Sequence, residues 1–289
     1  MLSVLIVNWN TRDLLRDCLA SIRDSRLSEP IEVIVVDNVS ADESAQMIAS
    51  EFPEVKLIAS THNLGYAAGN NAAFDAATGE WLLTLNPDVR LAEDTLALAL
   101  QELDQNPRFG ALSVKLKGED GRTQRSVRGF PSFLGLLGDV TGLAGMFPRS
   151  KLGSYRLPAF DYETAQEAPQ PMGTFLLFRR QALEAVGNPR KPFDESFPIF
   201  FNEVDLLYRM RRRGWPALYS PRTSLVHLGG ASTRQVRKNM IWESHRSLAR
   251  FMRKHYRTRF NAPGLWLLSG LIMLSAMVRA RGVYAGFRP

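Results

Sequence analysis

The first 117 residues alternate between short apolar runs and segments with an amphipathic helical period. The apolar runs predict β-strands and the amphipathic segments predict helices. This alternation predicts an α/β fold with a mostly parallel sheet and helices on both of its faces. The predicted strands are 2–7, 31–36, 55–59, 81–85 and 111–117, and the predicted helices are 11–25, one that opens at 40–43, 66–77 and 92–105.

Polar residues mark the starts of the first two helices. Asn10 directly precedes the first helix, and asparagine side chains accept hydrogen bonds from the unpaired N–H groups of a helix start. Ser40 followed by Glu43 has the spacing of a capping box. We therefore expect Asn10 and Ser40 to cap these helices, which leaves Asp37 available for a ligand.

The regular pattern breaks between residues 118 and 171, where glycine, proline and aromatic residues are frequent. We expect loops and short helices there, which would form a partly mobile wall over a site. Regular elements resume with strand 173–178, helices 180–186 and 203–213, and strands 217–219 and 225–228. The C-terminal tail, residues 234–289, combines a basic amphipathic helix over 234–256 with an apolar run over 265–278. That run has about 14 residues, fewer than the roughly 20 that cross a bilayer.

Composition and charge divide the chain further. With 289 residues, 45% hydrophobic and 22% charged, the chain can form a folded globular domain. Its one cysteine, Cys18, excludes an intramolecular disulfide and lies on the apolar stripe of the first helix. The tail holds twelve Lys and Arg against one acid, whereas residues 1–233 hold 24 basic and 28 acidic residues. Because residues 1–233 lack a basic stripe with interleaved aromatics, we favour a membrane surface or a second subunit over nucleic acid as the tail's partner.

Polar residues follow two of the predicted strands at the point where each strand ends. Asp37 and Asn38 follow the second strand, and Asn86-Pro87-Asp88 follows the fourth. The carboxyl ends of parallel strands meet at one edge of a sheet, where ligands bind in open α/β folds. There, Asp37 can accept ribose hydroxyls or a base imide, and Asp88 can bind a divalent cation that also holds a diphosphate. The loop 63–71 carries two glycines before a helix, which suits the close approach of an anion.

Two further clusters carry candidate chemistry. Glu203 and Asp205 open a helix behind Phe200 and Phe201, and an apolar wall raises a carboxylate pKa toward the value that a general base needs. Acids also suit the positive start of a helix, so a purely stabilising role stays open for the pair. His227 ends a strand, and it is either a core histidine or a ligand beside a metal-bound diphosphate.

In this order, the motifs resemble bacterial family 2 glycosyltransferases of the GT-A fold, and within them the rhamnosyltransferase-like group. The resemblance covers residues 2–256. The matching segments are Ile6-Val7-Asn8-Trp9-Asn10, Val36-Asp37-Asn38-x-Ser40, residues 63–71, Leu85-Asn86-Pro87-Asp88, Arg125-Ser126-Val127-Arg128-x-Phe130-Pro131, Gly173 with Arg179-Arg180, Phe193-Asp194-Glu195, residues 201–206, and His227-x-Gly229-Gly230-x-Ser232.

The resemblance implies roles for these positions. Asp88 would bind Mg²⁺ or Mn²⁺ on the donor diphosphate, and His227 would help to hold the metal or the departing diphosphate. Glu203 stands where the family has the aspartate of a Glu-Asp pair, the base that deprotonates the acceptor. Since the pair here reads Asn202-Glu203, either Glu203 or Asp205 would be the base. Nucleotide-sugar contacts would come from Asn8, Asp37, Asn38, Gly65, Asn70 and Asn86, and acceptor or phosphate contacts from Arg125 and Arg128.

The implied reaction is an inverting, metal-dependent transfer of a sugar, such as rhamnose, from a nucleoside diphosphate to a saccharide hydroxyl. Deoxythymidine, uridine and guanosine donors stay open. We expect a catalytic domain over 1–233, with a nucleotide-binding half over 1–117 and an acceptor-binding half over 118–233. The basic tail indicates peripheral attachment at the inner face of the cell membrane and a polyprenyl-diphosphate-linked acceptor, with burial in a homodimer as the competing account. A nucleotidyltransferase and a non-catalytic membrane scaffold are the alternative functions.

Overall fold

The computed structural model describes residues 1–188, 190–229, 237–258 and 261–281. Strands and helices alternate through the first 117 residues, and helices predominate at the C-terminal end. The strands are β1 (Leu2–Asn8), β2 (Ile31–Asp37), β3 (Lys56–Ala59), β4 (Trp81–Leu85), β5 (Val89–Leu91), β6 (Ala111–Lys117), β7 (Val127–Arg128), β8 (Gln166–Glu167), β9 (Gln170–Pro171), β10 (Phe175–Arg179) and β11 (Ala217–His227). The helices are α1 (Arg12–Arg23), α2 (Ser44–Glu51), α3 (Gly65–Ala76), α4 (Thr95–Asp104), α5 (Phe133–Thr141), α6 (Leu143–Met146), α7 (Arg180–Glu184), α8 (Asn202–Arg212), α9 (Arg237–Tyr256) and α10 (Ala262–Ala280).

A mixed sheet, with nine strands over the described ranges, forms the centre of the fold. Its strands lie in the order β3-β2-β1-β4-β10-β6-β11-β5, and β8 pairs with β11. The predicted parallel arrangement is confirmed for β3-β2-β1-β4 and for β6 with β11. Strand β10 lies antiparallel between β4 and β6 and thereby joins the two parallel parts.

Helices cover both faces of the sheet because successive strand residues point to opposite sides. In β1, Val4 and Ile6 pack in one cluster with residues of α1, α2 and α4. Leu5 points the other way and packs with residues of α3, α7 and α8. The predicted layering of helices on both faces is therefore confirmed.

The predicted caps of α1 and α2 are wrong. The Asn10 side chain accepts a hydrogen bond from the Ala41 N–H at 2.8 Å, and Thr11 is the residue that precedes α1. Helix α2 begins only at Ser44, whose backbone and hydroxyl both donate to Asp42. Ser40 Oγ instead accepts from the Asn10 N–H at 2.9 Å. These polar side chains join the two loops to each other, a contact across about 30 residues that local spacing does not show.

Two predictions about the C-terminal part also differ from the structure. The expected strands 217–219 and 225–228 are one strand, β11, with a register shift between Ser220 and Ser224 around Pro221. The last helix, α10, has 19 residues rather than about 14, because it includes Ala262, Pro263 and Gly264 before the apolar run and Arg279 and Ala280 after it. Among the described residues, α10 is long and apolar enough to cross a membrane by length and composition. Arg234, where the tail helix was expected to start, lies outside the described residues, and α9 begins at Arg237.

A third hydrophobic cluster attaches the C-terminal helices to the rest of the protein. Phe251 of α9 and Ile272 of α10 are buried in it, together with Leu136 of α5. The cluster also contains Phe201 and Val204, which flank Glu203 at the start of α8. The tail helices therefore pack directly behind the acidic cluster that the sequence singled out.

Candidate active site

The ends of β1 and β2 bring Asn8 and Asp37 together, because these residues are register partners in parallel strands. Both side chains are buried, and Asn8 Nδ2 donates to Asp37 Oδ1 at 2.9 Å. The second Asp37 oxygen accepts from the Ser40 N–H at 2.9 Å, and Asn8 Oδ1 accepts from the Thr11 hydroxyl at 2.6 Å. Asp37 thus holds the turn that follows β2. The sequence predicted instead that Ser40 would cap a helix and leave Asp37 available for a ligand.

The loop before α3 is held by the side chain of Asn38. Its amide donates to the Gly65 carbonyl at 3.2 Å, and its oxygen accepts from the Leu64 N–H at 3.2 Å. Gly65 has a φ of +77°, and a Cβ there would lie 2.9 Å from the Pro198 carbonyl oxygen. A side chain at this position would therefore be strained and would clash with backbone. Asn70 donates to the Tyr66 carbonyl at 2.9 Å, and its own oxygen is buried without a hydrogen-bond partner in the described part of the chain.

Tyr66 connects the two candidate catalytic regions, and sequence reasoning gave it no role. Its hydroxyl lies 3.3 Å from both Asn86 Oδ1 and the Gly173 carbonyl oxygen. Burial raises its pKa, and the negative charges of Glu203 and Asp88 raise it further. Since the charges of both carboxylates affect Tyr66, its hydroxyl lies near both of them. Its place in the conspicuous loop 63–71 was the signal that could have pointed to it.

Asp88 and His227 lie together at the ends of neighbouring elements. Asp88 comes just before β5, and β5 pairs antiparallel with the end of β11, where His227 lies. The distance from His227 Nε2 to Asp88 Oδ1 is 3.7 Å. That Asp88 oxygen is buried and has no hydrogen-bond partner among the residues that the structure describes. Gln124 Oε1 lies 2.8 Å from His227 Nδ1, while its amide donates to the His227 carbonyl at 2.9 Å. Burial lowers the His227 pKa, so the ring favours its neutral form.

These residues fit a divalent cation. When the His227 Nδ1–H donates to Gln124, the lone pair of Nε2 faces Asp88, as in metal sites where an outer partner fixes the tautomer. A carboxylate oxygen without a hydrogen-bond partner beside this lone pair makes two ligands. Within the described ranges, no group of three or more His, Cys, Asp and Glu residues could hold a metal ion. Gln124 itself was missed from the sequence, because its proximity to His227 depends on packing across 103 residues.

Glu203 lies against Gly173 at the start of α8. A Cβ on Gly173 would contact Glu203 Cγ at 3.4 Å and Cδ at 3.6 Å, so the absence of a side chain there makes room for the carboxylate. Burial raises the pKa of Glu203 from 4.5 to about 7, and hydrogen bonds from its own N–H and that of Val204 only partly offset this rise. The predicted upward pKa shift is confirmed for Glu203.

Asp205 has the opposite surroundings. Its side chain is fully buried, with Oδ2 at 2.7 Å from Arg209 Nε and Oδ1 at 2.6 Å from Lys254 Nζ and 2.7 Å from His255 Nε2. Burial disfavours its ionisation, but His255, Arg209 and Lys254 outweigh that effect and lower its pKa to about 2. The upward shift that the apolar wall suggested for both carboxylates is therefore wrong for Asp205.

Arg125 lies just before β7, and Arg128 is the second residue of that strand. Arg125 is exposed, and the Arg128 guanidinium lies 5.8 Å from the centre of the Tyr155 ring. Strand β7 pairs with β9, and the Met172 N–H donates to the Ser126 carbonyl just before Gly173. The two arginines therefore lie beside the segment that carries Gly173. Gly229 is described, whereas Gly230 and Ser232 of the same motif lie outside the described residues.

Comparisons with known proteins agree with this fold. The sequence pattern described as glycosyl transferase family 2 matches residues 3–187. The match covers more than half of the chain, and the chain belongs to this family of glycosyltransferases. Family membership favours glycosyl transfer over the nucleotidyltransferase alternative.

Several relatives and solved structures are similar to this chain. An N-acetylglucosaminyl-diphospho-decaprenol L-rhamnosyltransferase of Mycobacterium tuberculosis is 28% identical over 97% of this chain and 93% of that protein. An O-antigen biosynthesis protein of Myxococcus xanthus is 27% identical over 80% of this chain but only 18% of its own length. The structure of a mannosyltransferase from Pyrobaculum calidifontis, solved with GDP-Man and Mn²⁺, superposes with a TM-score of 0.59 at 21% identity, covering 100% of this chain and 76% of that one. These structural likenesses confirm the GT-A fold.

Proposed function

We propose that this glycosyltransferase moves a sugar, with rhamnose the favoured candidate, from a nucleoside diphosphate donor to a hydroxyl of a lipid-linked saccharide. Similarity to the mycobacterial L-rhamnosyltransferase along nearly the whole of both chains supports this substrate class. The proposal includes inversion at the anomeric carbon, because the site offers a base and the reaction needs no enzyme nucleophile.

The surroundings of Glu203 carry the proposal. A carboxylate with a pKa of about 7 is half ionised near neutral pH, which suits a general base. The acceptor oxygen attacks the anomeric carbon from the face opposite to the nucleoside diphosphate, whose bond to that carbon breaks. The acceptor proton passes to Glu203. Asp205 is unsuited to this step, because its ion pairs with Arg209 and Lys254 and its hydrogen bond with His255 stabilise its ionised form.

The donor occupies the edge formed by β1, β2 and β4 in this proposal. Asp37 and Asn8 fix the turn that receives the nucleoside, while Asn38, Gly65 and Asn70 shape the loop before α3. Asn86 and Tyr66 link this edge to Glu203, the proposed general base. The Tyr66 hydroxyl lies near both Asn86 and Gly173, and Gly173 lies beside Glu203. Arg125 and Arg128 contact the acceptor or a phosphate from the β7 side.

Asp88 and His227 hold a divalent cation, Mg²⁺ or Mn²⁺, in the proposed reaction. When bound, the cation neutralises charge on the leaving nucleoside diphosphate. Gln124 positions the His227 ring so that Nε2 stays unprotonated toward Asp88. The buried Asp88 oxygen supports this assignment, because a buried acceptor without a partner is costly unless a ligand completes it.

Thermal unfolding with GDP, UDP or dTDP, each with and without Mn²⁺, tests the donor and cation site. Ligand at 100 times its Kd stabilises a protein by about 2.7 kcal/mol, so the matching nucleotide should raise Tm clearly. Asp88→Asn should remove the Mn²⁺-dependent part of the shift, while Asp17→Asn, an exposed change on α1, should keep it. A nucleotide shift indifferent to both chelator and Asp88→Asn would contradict the cation role.

The acceptor and the location of the enzyme follow from the tail. The proposed acceptor is polyprenyl-diphosphate-linked and lies at the inner face of the cell membrane, where the basic residues of 234–289 would meet anionic lipid. In the proposed division of labour, residues 1–117 bind the donor, 118–233 bind the acceptor and 234–289 attach the enzyme. Burial of the tail between two copies of the chain is the competing account.

A further inference from the structure

Helix α5 presents most of its large apolar residues outward, with Leu136 as the buried exception. Phe133 is 62% exposed, Val140 is 58% exposed, and Leu134 and Leu137 are also exposed. These positions recur with helical spacing, so they form one continuous apolar stripe. The short helix α6 and the residue after it extend the stripe with Met146 and Phe147.

The inward side of α5 consists mainly of glycine. A Cβ on Gly135 would lie 2.8 Å from Ser154 Oγ, and one on Gly138 would meet the Leu152 carbonyl oxygen at 2.2 Å. The helix backbone therefore lies directly on the chain over 152–155, leaving no space for larger side chains. Core packing thus accounts for the glycines, but it does not account for a row of phenylalanine, leucine and valine facing solvent.

Helix α10 has the same arrangement of faces. Leu265, Ser269, Ile272 and Ala276 are buried on one side. On the other side, the exposed large residues are Trp266, Leu267, Leu271 and Leu274. Both helices insert residues into the third hydrophobic cluster, so both pack against the same part of the molecule, next to the start of α8.

The exposed charges around these stripes are positive. Arg149 and Lys151 are exposed just after α6. The acid of α5, Asp139, is paired with Arg156 and leaves no exposed negative charge on that helix. The Arg253 guanidinium lies 5.0 Å from the centre of the Trp266 ring, which combines a cation with an interfacial aromatic side chain.

We propose that α5, α6 and α10 together form one surface that binds an anionic lipid bilayer, with both apolar stripes inserted at the headgroup level. The inference deepens the proposed membrane location, on which it rests, and adds α5 and α6 to an attachment so far assigned to the tail. Apolar stripes bordered by Lys and Arg bind in this way in the plane of the interface. Contiguous apolar surface of this kind otherwise marks an interaction site.

The basic border favours a bilayer over a second copy of the chain. In a two-fold dimer the same patch meets itself, so the borders that contain Arg149 and Lys151 would be brought close to each other. Like charges at such a contact oppose association, whereas anionic headgroups attract them.

Cysteine labelling of the full-length protein tests the surface directly. Cys18 is buried and burial raises its thiol pKa, so it should not react with a label at neutral pH. Leu137→Cys on α5, Leu271→Cys on α10 and the exposed control Ala49→Cys on α2 would each carry a polarity-sensitive fluorophore. With phosphatidylglycerol-rich vesicles, the labels at 137 and 271 should shift to the blue and the label at 49 should not. Pure phosphatidylcholine or high salt should weaken the shift.

A double variant measures the contribution of α5. Replacing Leu137 and Val140 together by glutamate should lower vesicle affinity about tenfold or more. Two apolar side chains that would insert into the bilayer are lost, and two negative charges that anionic lipid repels are added. The variant should keep the nucleotide-dependent Tm shift of the wild type, which shows that the fold and donor site are intact. These measurements need no acceptor. Their failure would therefore not contradict the proposed transfer reaction, and a failed transfer assay would not contradict binding to vesicles.

The competing outcomes are distinct. A blue shift at 271 alone, with full vesicle affinity in the Leu137/Val140 variant, would show that only the tail binds and would overturn the inference. Shifts that rise with protein concentration in the absence of vesicles would show a contact between copies and would overturn it as well. No shift at either position with any vesicle would exclude membrane binding by this surface.

Discussion

The two sides of helix α8 hold acids two residues apart in opposite surroundings. On the side that faces Gly173 and Tyr66, Glu203 is half-buried, and its desolvation raises its pKa to about 7. On the side that faces α9, Asp205 is buried among Arg209, Lys254 and His255, with a pKa lowered to about 2. Burial opposes the ionisation of both groups, so the hydrogen bond from His255 and the charges of Arg209 and Lys254 reverse the direction for Asp205.

This difference shows that the start of one helix can hold two carboxylates with opposite pKa shifts. A carboxylate that is to exchange a proton near neutral pH must be desolvated and must lack strong cationic partners. A carboxylate that is to hold two helices together needs those partners, because a buried charge without them is unstable. The side chains of α9 therefore separate the roles of two acids that the sequence presents as near equivalents.

The largest expected effect is on stability, from Asp205→Asn. This change leaves the cations of α8 and α9 without their buried partner, and breaking a buried ion pair in this way costs about 3–5 kcal/mol. Urea unfolding should show this loss at pH 7, while turnover of the folded variant should stay within about tenfold of wild type. Asp194→Asn, which removes the more exposed partner of Lys254, is the matched control and should cost about 1 kcal/mol or less.

The contrast between Glu203 and Asp205 fails if Asp205→Asn is as stable as the wild type but inactive. Should Asp205→Asn unfold like the wild type but lose turnover, Asp205 would be the base and its ion pairs would have another purpose.

The second expected effect is on turnover, from Glu203→Gln. Removing a general base lowers the rate by about a hundredfold or more, which corresponds to roughly 3 kcal/mol in the activation barrier. Donor binding, measured by the nucleotide-dependent Tm shift, should stay near that of the wild type, because glutamine keeps the shape of the side chain. Nearly normal turnover in this variant would remove Glu203 from the reaction.

The smallest expected effect is the pH dependence that Glu203 imposes. Wild-type turnover should rise with pH through about 7 and then level off, as the carboxylate ionises. Because the folded pKa lies above the unfolded value, wild-type stability should fall between about pH 4.5 and pH 7 and then stay constant. Glu203→Gln should lack this decline and be more stable than wild type at pH 8.

Denaturant unfolding of both proteins at a series of pH values measures that difference. Parallel stability curves for wild type and Glu203→Gln would mean that the folded pKa of Glu203 is close to its unfolded value. In that case the contrast between the two sides of α8 would rest on Asp205 alone.

The sequence by itself determined the alternation of strands and helices, since apolar period and strand ends are local properties. Strands Trp81–Leu85 and Ala111–Lys117 match their predicted bounds, and Asp37 lies at the sheet edge where the pattern placed it. The proximity of Asn8 to Asp37 follows from the same rule, because parallel strands end together. Asp88 was also found locally, as a carboxylate directly after a buried strand.

Only the tertiary structure distinguished the surroundings of the two acids on α8, one with a raised pKa and one with a lowered pKa. Lys254 and His255 reach Asp205 from about 50 residues away along the chain, and no local pattern predicts that contact. The same holds for Gln124 beside His227 and for Ser40, which binds the loop before α1 instead of capping α2. A side chain's pKa and hydrogen bonds depend on the groups that packing brings within a few ångströms, and these groups come from distant parts of the chain.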